Sequence, residues 1–260
     1  MFERREERGN WLNAERKFYF YSVGEMDNGS DSGQLASGSS SHEAYLSHIG
    51  RVNYDYSGKY MAEVAFRYDG SYRYAPGKRW AFFPSASAGW RISEESFIKD
   101  NFRFVDNLKL RGSIGRSGQN TGSAFQYLPW YQLNAQGYVF TPDTYIKGVA
   151  TPAMINPNFT WIDVDMYNIG FDVSFLNRLI SLEFDIYQRD RSGIPAQRSG
   201  TLPNTFGAKL PDENLNGDRT LGIEFTISHN NKIGDFNYTV SGNFNLARTQ
   251  NRYIETGPYK

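Results

Sequence analysis

The stretch YMAEVAFRYD, residues 60–69, alternates apolar and polar side chains along its whole length. Tyr60, Val64 and Phe66 share one parity, whereas Glu63 and Arg67 share the other. Successive side chains of a β-strand point to opposite faces of the sheet. The stretch therefore predicts a strand with one apolar, aromatic-ended face and one charged face.

The same alternation recurs along the chain and predicts about eight strands, several of them about 9–12 residues long. The clearest repeats span residues 167–175, 180–187, 221–228 and 236–246, and weaker ones span residues 52–56, 86–92 and 108–114. Abundant aromatic residues and glycines also favour strands joined by turns over helices. The sequence therefore indicates an all-β protein.

Composition excludes several classes of function. The 28 Lys plus Arg balance the 28 Asp plus Glu, so no net charge attracts a nucleic acid. The absence of Cys excludes disulfides, thiolate metal sites and a Cys nucleophile. No apolar run approaches the ~18–20 residues that a membrane-spanning helix needs. Any membrane crossing would thus use strands.

The predicted connections alternate between short and long. Ser57-Gly58 and Asn177-Arg178 read as tight turns, whereas residues 117–160 and 191–218 read as long loops. Short periplasmic turns and long extracellular loops are typical of an outer-membrane barrel. A soluble β-sandwich also alternates apolar and polar residues and remains the alternative. One connection is unusual, because Ser93 is placed to cap a short helix over residues 94–99.

No motif indicates catalysis. DENLNGDRTLGIE, residues 212–224, resembles a calcium loop, but Ile223 occupies the twelfth position, so we expect an Asn/Gly turn. The three histidines show no ligand spacing, and no nucleophile motif accompanies them. The sequence thus predicts no enzyme activity, no metal and no cofactor. The aromatic loops SYRYAPGKRW and FQYLPWYQLNAQGYVF, residues 71–80 and 125–140, suit either ligand contact or packing on each other.

Two blocks carry a specific resemblance. Residues 50–95, GRVNYDYSGKYMAEVAFRYDGSYRYAPGKRWAFFPSASAGWRISEE, are followed by VDNLKLRGSIG. NPNFTWIDVDMYNIGFDVSFLNRLISLEFDIYQRD and GIEFTISHNNKIGDFNYTVSGNFN come later, in the same order as in the family. From about His42 to Arg252 the sequence resembles the barrel of the SusC/RagA family of TonB-linked (TonB-dependent) outer-membrane proteins.

The resemblance implies an antiparallel transmembrane β-barrel, here in part, with about eight strands of a larger barrel and long extracellular loops. It implies residence in the Gram-negative outer membrane, in contact with its lipid, and import of nutrients such as oligosaccharides or peptides. The implied partners are a SusD-like surface lipoprotein and the TonB complex, the latter through a plug that this sequence does not contain. A nucleic-acid partner is not expected.

These expectations assign a role to each region. Residues 1–41 are an irregular extracellular loop or incomplete strand, residues 42–252 the barrel segment, and residues 253–260 the start of a following loop. The predicted lumen-facing residues are Glu63, Arg67, Asp69, Lys109, Arg111, Glu183 and Asp185. The predicted loop contacts for substrate or lid are Tyr72, Tyr74, Arg79, Trp80, Trp130 and Tyr131. The alternative function is a surface-exposed β-domain that binds glycans through these loops without transporting them.

Overall fold

The computed structural model describes residues 2–13, 35–141, 144–198 and 208–256, and these residues are mostly β-strand. The strands are β1 Phe2–Asn13, β2 Leu35–Tyr56, β3 Tyr60–Ser71, β4 Trp80–Arg91, β5 Val105–Gln119, β6 Gln132–Thr141, β7 Thr144–Ala150, β8 Ile162–Phe175, β9 Ile180–Ala196, β10 Glu213–Ile233 and β11 Phe236–Tyr253. A 3-10 turn, Ile92–Glu94, precedes the four-residue helix α1, Ser96–Lys99. No helix in the described part of the chain is long and apolar enough to cross a membrane.

The chain divides into two units, Met1–Leu46 and Ser47–Lys260. In the first unit, β1 pairs antiparallel with the first half of β2, from Asn13 opposite Leu35 to Phe2 opposite Leu46. Residues 14–34 and 257–260 of the predicted terminal regions lie outside the described residues. The domain boundary predicted at residue 42 stays a prediction.

The second unit is one antiparallel sheet in which the strands follow their order along the chain. The order is β2-β3-β4-β5-β8-β9-β10-β11, and β6 and β7 form a separate two-stranded sheet within the connection from β5 to β8. In the described residues no ladder joins β11 back to the first strands, so the sheet is open. The predicted all-β antiparallel architecture of about eight strands is confirmed.

The strand register places side chains of similar polarity opposite one another on neighbouring strands. One row of residues that lie opposite one another runs across five strands through Leu110, Phe171, Phe184, Phe225 and Phe244. The next row along the strands is polar and runs through Arg111, Gly170, Asp185, Glu224 and Asn245. Because side chains alternate between faces, the sheet has one apolar face and one polar face.

The apolar face is uncovered. Val64 is 62% exposed, Ile169 67% and Phe244 55%, although each lies in the middle of a long strand. In a soluble sandwich these side chains would pack against a second sheet about 10 Å away. The exposed apolar face therefore argues against the sandwich and fits a sheet whose outer face meets lipid.

The turn between β2 and β3 is short. Ser57 and Gly58 have φ of 55° and 66°, the left-handed pair that a tight hairpin requires.

The prediction that Ser93 caps the short helix is wrong. Helix α1 begins only at Ser96 and its N-cap residue is Glu95, with no side-chain cap bond. Ser93 lies instead in the preceding 3-10 turn, where it is buried and its Oγ has no partner among the described residues.

Candidate functional site

An ion-pair network crosses the polar face at mid-strand. Arg111 on β5 donates from Nε to Asp172 Oδ1 on β8, at 2.9 Å, and from Nη1 to Asp185 Oδ1 on β9, at 2.6 Å. A second bond joins Arg111 Nη2 to Asp185 Oδ2 at 2.5 Å. The guanidinium thus spans two strand spacings and binds two carboxylates, one of them in a fork-like pair.

Gly170 makes this reach possible. It lies between Arg111 and Asp185 in the register row, and a Cβ at this position would come within 2.4 Å of Asp185 Oδ1 and 3.0 Å of Arg111 Cζ. Any larger residue would occupy the space through which the two charged groups meet. The missing side chain is therefore part of the network.

A second polar network lies nearer the long loops. Arg191 Nε donates to Asp218 Oδ1 at 2.9 Å, and a further bond joins Arg191 Nη2 to Asp218 Oδ2. Thr220 and Thr249 share a hydrogen bond of 2.9 Å.

The prediction that residues 191–218 form a loop is wrong at both ends, because β9 continues to Ala196 and β10 already begins at Glu213. The Asn/Gly turn expected in residues 212–224 is likewise wrong, because β10 already includes Asn214, Asn216 and Gly217.

The seven predicted lumen residues all fall on the polar face by register. Of these, the structure joins Arg111 with Asp185, and Arg67 with Asp69 at 3.0 Å between Nη2 and Oδ2. Glu63 Oε2 lies 3.9 Å from Arg51 Nη1. A depression of about 540 Å³ on this face is lined by Glu63, Lys109, Arg111 and their neighbours. That the polar face lines a lumen stays a prediction.

Aromatic side chains from two connections, β3–β4 and β5–β8, form a buried cluster with one residue of β4. Tyr74, Phe83, Phe159 and Trp161 are all less than a tenth exposed, and the ring centroids of Tyr74 and Trp161 are 5.2 Å apart. Trp161 Nε1 donates to the carbonyl of Arg79 at 3.1 Å, and the Thr121 backbone amide donates to Tyr74 Oη at 3.0 Å. These loops pack on one another as well as on the strand ends.

The six predicted loop contacts therefore lie in different surroundings. Tyr74 is 1% exposed, and Arg79 donates to the Tyr74 carbonyl and to Tyr127 Oη, at 3.0 and 3.1 Å. Trp80 is the first residue of β4, lies on the apolar face and stacks on Tyr68 at 4.9 Å. Tyr72 packs edge-on against Phe125. Trp130 and Tyr131 are 67% and 66% exposed. Contact of any of the six with a substrate or lid stays a prediction.

Asn214 fastens the loop before β8 to the start of β10. Its Oδ1 accepts from the Thr160 amide at 2.9 Å, and its Nδ2 donates to the carbonyls of Thr160 and Gly193 at 2.9 and 2.8 Å. The side chain is thus almost fully hydrogen-bonded to backbone. No feature of the sequence distinguished it from the other asparagines of this segment.

Replacing Asn214 by alanine should cost about 1–2 kcal/mol of local stability, because partly buried backbone groups lose their partners. Hydrogen exchange of residues 156–161 in the full-length protein should become faster by roughly five- to thirtyfold. Asn237→Ala on the exposed strand β11 is the matched control and should leave this exchange unchanged. Equal exchange in the two variants would contradict the role assigned to Asn214.

Among the described residues, no group of three or more His, Asp and Glu is arranged to hold a metal ion. The carboxylates of the polar face are bound by arginines where they cluster. The chemistry of this face is thus that of paired charges. It offers fixed hydrogen-bonding groups to whatever lies against it.

Comparison with known proteins gives the family. The profile described as "TonB dependent receptor-like, beta-barrel" matches residues 5–259. This chain belongs to that family. The TonB-dependent receptor SusC of Bacteroides thetaiotaomicron is 33% identical over 208 residues, which are 77% of this chain and 20% of SusC. The TonB-dependent receptor P3 of Formosa agariphila is 29% identical over 210 residues, 81% of this chain and 20% of P3.

The fold comparison agrees with the sequence comparison. The RagAB peptide importer in its closed-closed state superposes with a TM-score of 0.82 at 22% identity, over 98% of this chain and 28% of that chain. The predicted membership of the SusC/RagA family of transmembrane barrels is confirmed. TonB-dependent receptors of this kind are outer-membrane proteins of Gram-negative bacteria. The chain spans about a fifth of the length of the curated relatives it matches.

Proposed function

We propose that this chain forms part of the barrel wall and surface loops of a TonB-dependent importer in the Gram-negative outer membrane. The observation that carries the proposal is the separation of the two faces by register. An uncovered apolar face suits hydrocarbon, while the opposite face carries the Arg111 network and suits a hydrated lumen. Membership of the TonB-dependent receptor barrel family supports the transport class.

The polar face is the proposed contact for a plug and for the passing solute. Glu63, Arg67, Asp69, Lys109, Arg111, Glu183 and Asp185 form this surface in the proposal. A plug domain would in turn connect the barrel to the TonB complex. No step of this process requires catalytic chemistry, so the protein is proposed to be a transporter and not an enzyme.

The substrate class is proposed to be oligosaccharides or peptides. Its support is the likeness to SusC and to a structure described as a peptide importer. A SusD-like surface lipoprotein is the proposed partner at the long loops. Trp130 and Tyr131 are the loop aromatics best placed to contact the substrate or this lid, because both are about two-thirds exposed. Aromatic side chains of this kind often dominate binding energy.

The test compares bacteria that lack the gene with bacteria that carry the full-length protein. Growth on a peptide digest or on oligosaccharides as sole carbon source should depend on the gene. It should also stop when TonB is deleted, whereas growth on a monosaccharide should continue. If neither probe supports gene-dependent growth while the protein is present in the outer membrane, the importer proposal fails.

The Trp130→Ala/Tyr131→Ala double variant should reduce uptake at low substrate concentration by at least about tenfold, since an anchoring aromatic often contributes ~2 kcal/mol. Leu128→Ala, in the same loop and 48% exposed, is the matched control and should transport normally. Surface amounts of the variants are compared by whole-cell antibody binding. Unchanged uptake in the double variant would rule out the proposed substrate or lid contact of these two residues, but it would not contradict the importer proposal.

A further inference from the structure

The connection from β4 to β5 is much longer than its neighbours at the same end of the sheet. It runs over residues 92–104, whereas β2–β3, β8–β9 and β10–β11 are joined by two to four residues. Backbone bonds fix it at that end, from the Arg91 amide to the Lys59 carbonyl at 2.7 Å and from the Leu176 amide to the Phe104 carbonyl at 2.9 Å. Short turns mark the periplasmic end of an outer-membrane barrel.

Glu95 attaches the first part of this connection to the edge of the apolar face. Its carboxylate accepts from Tyr60 Oη at 2.6 Å, from Trp90 Nε1 at 3.2 Å and from Lys59 Nζ at 3.2 Å. Tyr60 and Trp90 lie opposite each other on the apolar face. The hydrogen bond from Tyr60, followed by those from Trp90 and Lys59, holds the pKa of the Glu95 carboxyl below its usual range. A charged group is thus fixed at the edge of the apolar face.

Phe104 ties the last part to the same face. Its ring stacks on Phe175 with centroids 6.2 Å apart, and Phe102 packs edge-on against Phe104 at 6.1 Å. Phe175 is the last apolar-face residue of β8 and lies opposite Ile180. Both ends of the connection are therefore fastened to side chains of the apolar face.

From Phe97 to Phe104 the connection carries three exposed aromatic rings. Phe97 is 54% exposed, Phe102 44% and Phe104 52%, and the charged residues Lys99 and Arg103 alternate with them. Three exposed phenylalanines within eight residues are costly in water. Aromatic rings mixed with Lys and Arg are typical of segments that lie at the boundary between lipid headgroups and acyl chains.

The height of the apolar face places this segment at such a boundary. A row of charges, Arg116, Asp165, Asp190 and Arg219, crosses the apolar face near the long loops, with Arg116 Nε 2.7 Å from Asp165 Oδ1. From Asp165 to Phe175 the strand rises ~34 Å at ~3.4 Å per residue, which a tilt of ~40° reduces to ~26 Å. An outer-membrane barrel has an apolar band about 25 Å tall.

We propose that residues 92–104 form a foot that lies in the headgroup layer of the periplasmic leaflet, with Phe97, Phe102 and Phe104 at the acyl boundary. The partner is the phospholipid surface. The inference rests on the proposed function, since the apolar face must meet lipid for its edge to meet headgroups. The new element is that residues 92–104 bind the membrane surface and do not extend into the periplasm.

Site-directed spin labelling tests the foot, and the 260 residues contain no Cys that would compete for the label. Single cysteines at Phe97 and Phe102 are introduced into a cysteine-free full-length protein in phospholipid vesicles. Nitroxide collision rates with oxygen, which prefers lipid, and with a water-soluble nickel chelate then report depth. Labels at both positions should favour oxygen and give a depth near the headgroups. A label at Asp100, exposed in the same segment, should favour the nickel chelate.

A label at Ile169, in the middle of the apolar face, separates the two proposals. If Ile169 reports lipid while Phe97 and Phe102 collide with nickel as freely as Asp100, the foot is wrong and the barrel orientation stands. If Ile169 also reports water, the lipid-facing assignment itself fails. Low collision with both reagents at Phe97 and Phe102 would mean that protein covers them, which also overturns the foot.

Glu95→Ala gives a second readout. Loss of the three hydrogen bonds to Glu95 should free the first part of the foot and raise the nickel collision rate at Phe97 several-fold, with no change at Ile169. Glu95→Gln, which keeps an acceptor for Tyr60 and Trp90, should change it less. An unchanged rate at Phe97 in Glu95→Ala would contradict the role of this tie in holding the foot on the membrane.

Discussion

Val64→Arg in the full-length protein is expected to lower the free energy of unfolding from the membrane by about 2–4 kcal/mol. Val64 lies between Ala62 and Phe66 in the middle of the apolar side of β3 and is 62% exposed there. We place this face against lipid, so the new guanidinium would enter hydrocarbon near the bilayer midplane, where no polar group can solvate it. Urea unfolding in phospholipid vesicles measures the loss.

The neighbouring substitution Glu63→Gln is the matched control. Glu63 lies on the polar face, and its nearest cation, Arg51, is 3.9 Å away in an exposed pair. Exposed pairs of this kind contribute about 0–1 kcal/mol, so the change should be small. If Val64→Arg unfolds at the urea concentration of the unmodified protein and Glu63→Gln is strongly destabilised, the two faces are assigned in reverse.

The strands within the apolar band are predictable from sequence because their two environments differ so strongly. Lipid on one side and a polar surface on the other impose a period of two on residue choice. Residues 60–69 show this alternation without interruption. Strands β8 to β11 repeat it, with phenylalanine and isoleucine at corresponding register positions. Both the strand type and the facing of individual residues follow from that alternation.

The strand extensions beyond the band are not predictable in this way. Around Arg191 and Asp218 both faces of the sheet are polar, so the alternation disappears although the hydrogen-bonded ladder continues. A segment rich in Asn, Asp and Gly then reads as a turn. What holds β9 and β10 together there is the pairing of Arg191 with Asp218, which depends on a register that the sequence does not state.

The loop residues show a second limit. Tyr74 and Tyr131 are the same residue type in similar aromatic loops, yet one is 1% exposed and the other 66%. Burial of Tyr74 requires Phe159 and Trp161, which lie 85 and 87 residues further along the chain. These residues come together only in the folded sheet. Trp80 is different, because extending the parity of Ala86, Ala88 and Trp90 backwards already assigns it to the apolar face.

Gly170→Ala is expected to destabilise the full-length protein by about 1–3 kcal/mol, the usual cost of adding a methyl group where there is no room. The new Cβ would lie 2.4 Å from Asp185 Oδ1 and 2.8 Å from the Phe184 carbonyl oxygen. The carboxylate can move, but the backbone oxygen cannot without disturbing the ladder between β8 and β9. Asp185 would then turn away from Arg111 and both of its bonds to the guanidinium would be lost.

Gly112→Ala on the adjacent strand provides the comparison that isolates this effect. There the nearest atom to the added Cβ is the Asn168 carbonyl oxygen at 3.8 Å, an ordinary contact. Alanine should be neutral at this position, or stabilise by up to about 1 kcal/mol through the unfolded chain. Urea unfolding of both variants, repeated in an Asp185→Ala background, separates the two clashes at Gly170. Removing Asp185 should reduce the cost of Gly170→Ala, and the part that persists belongs to the Phe184 carbonyl. If Gly170→Ala is as mild as Gly112→Ala, the absence of a side chain at residue 170 is not what lets Arg111 reach across β8.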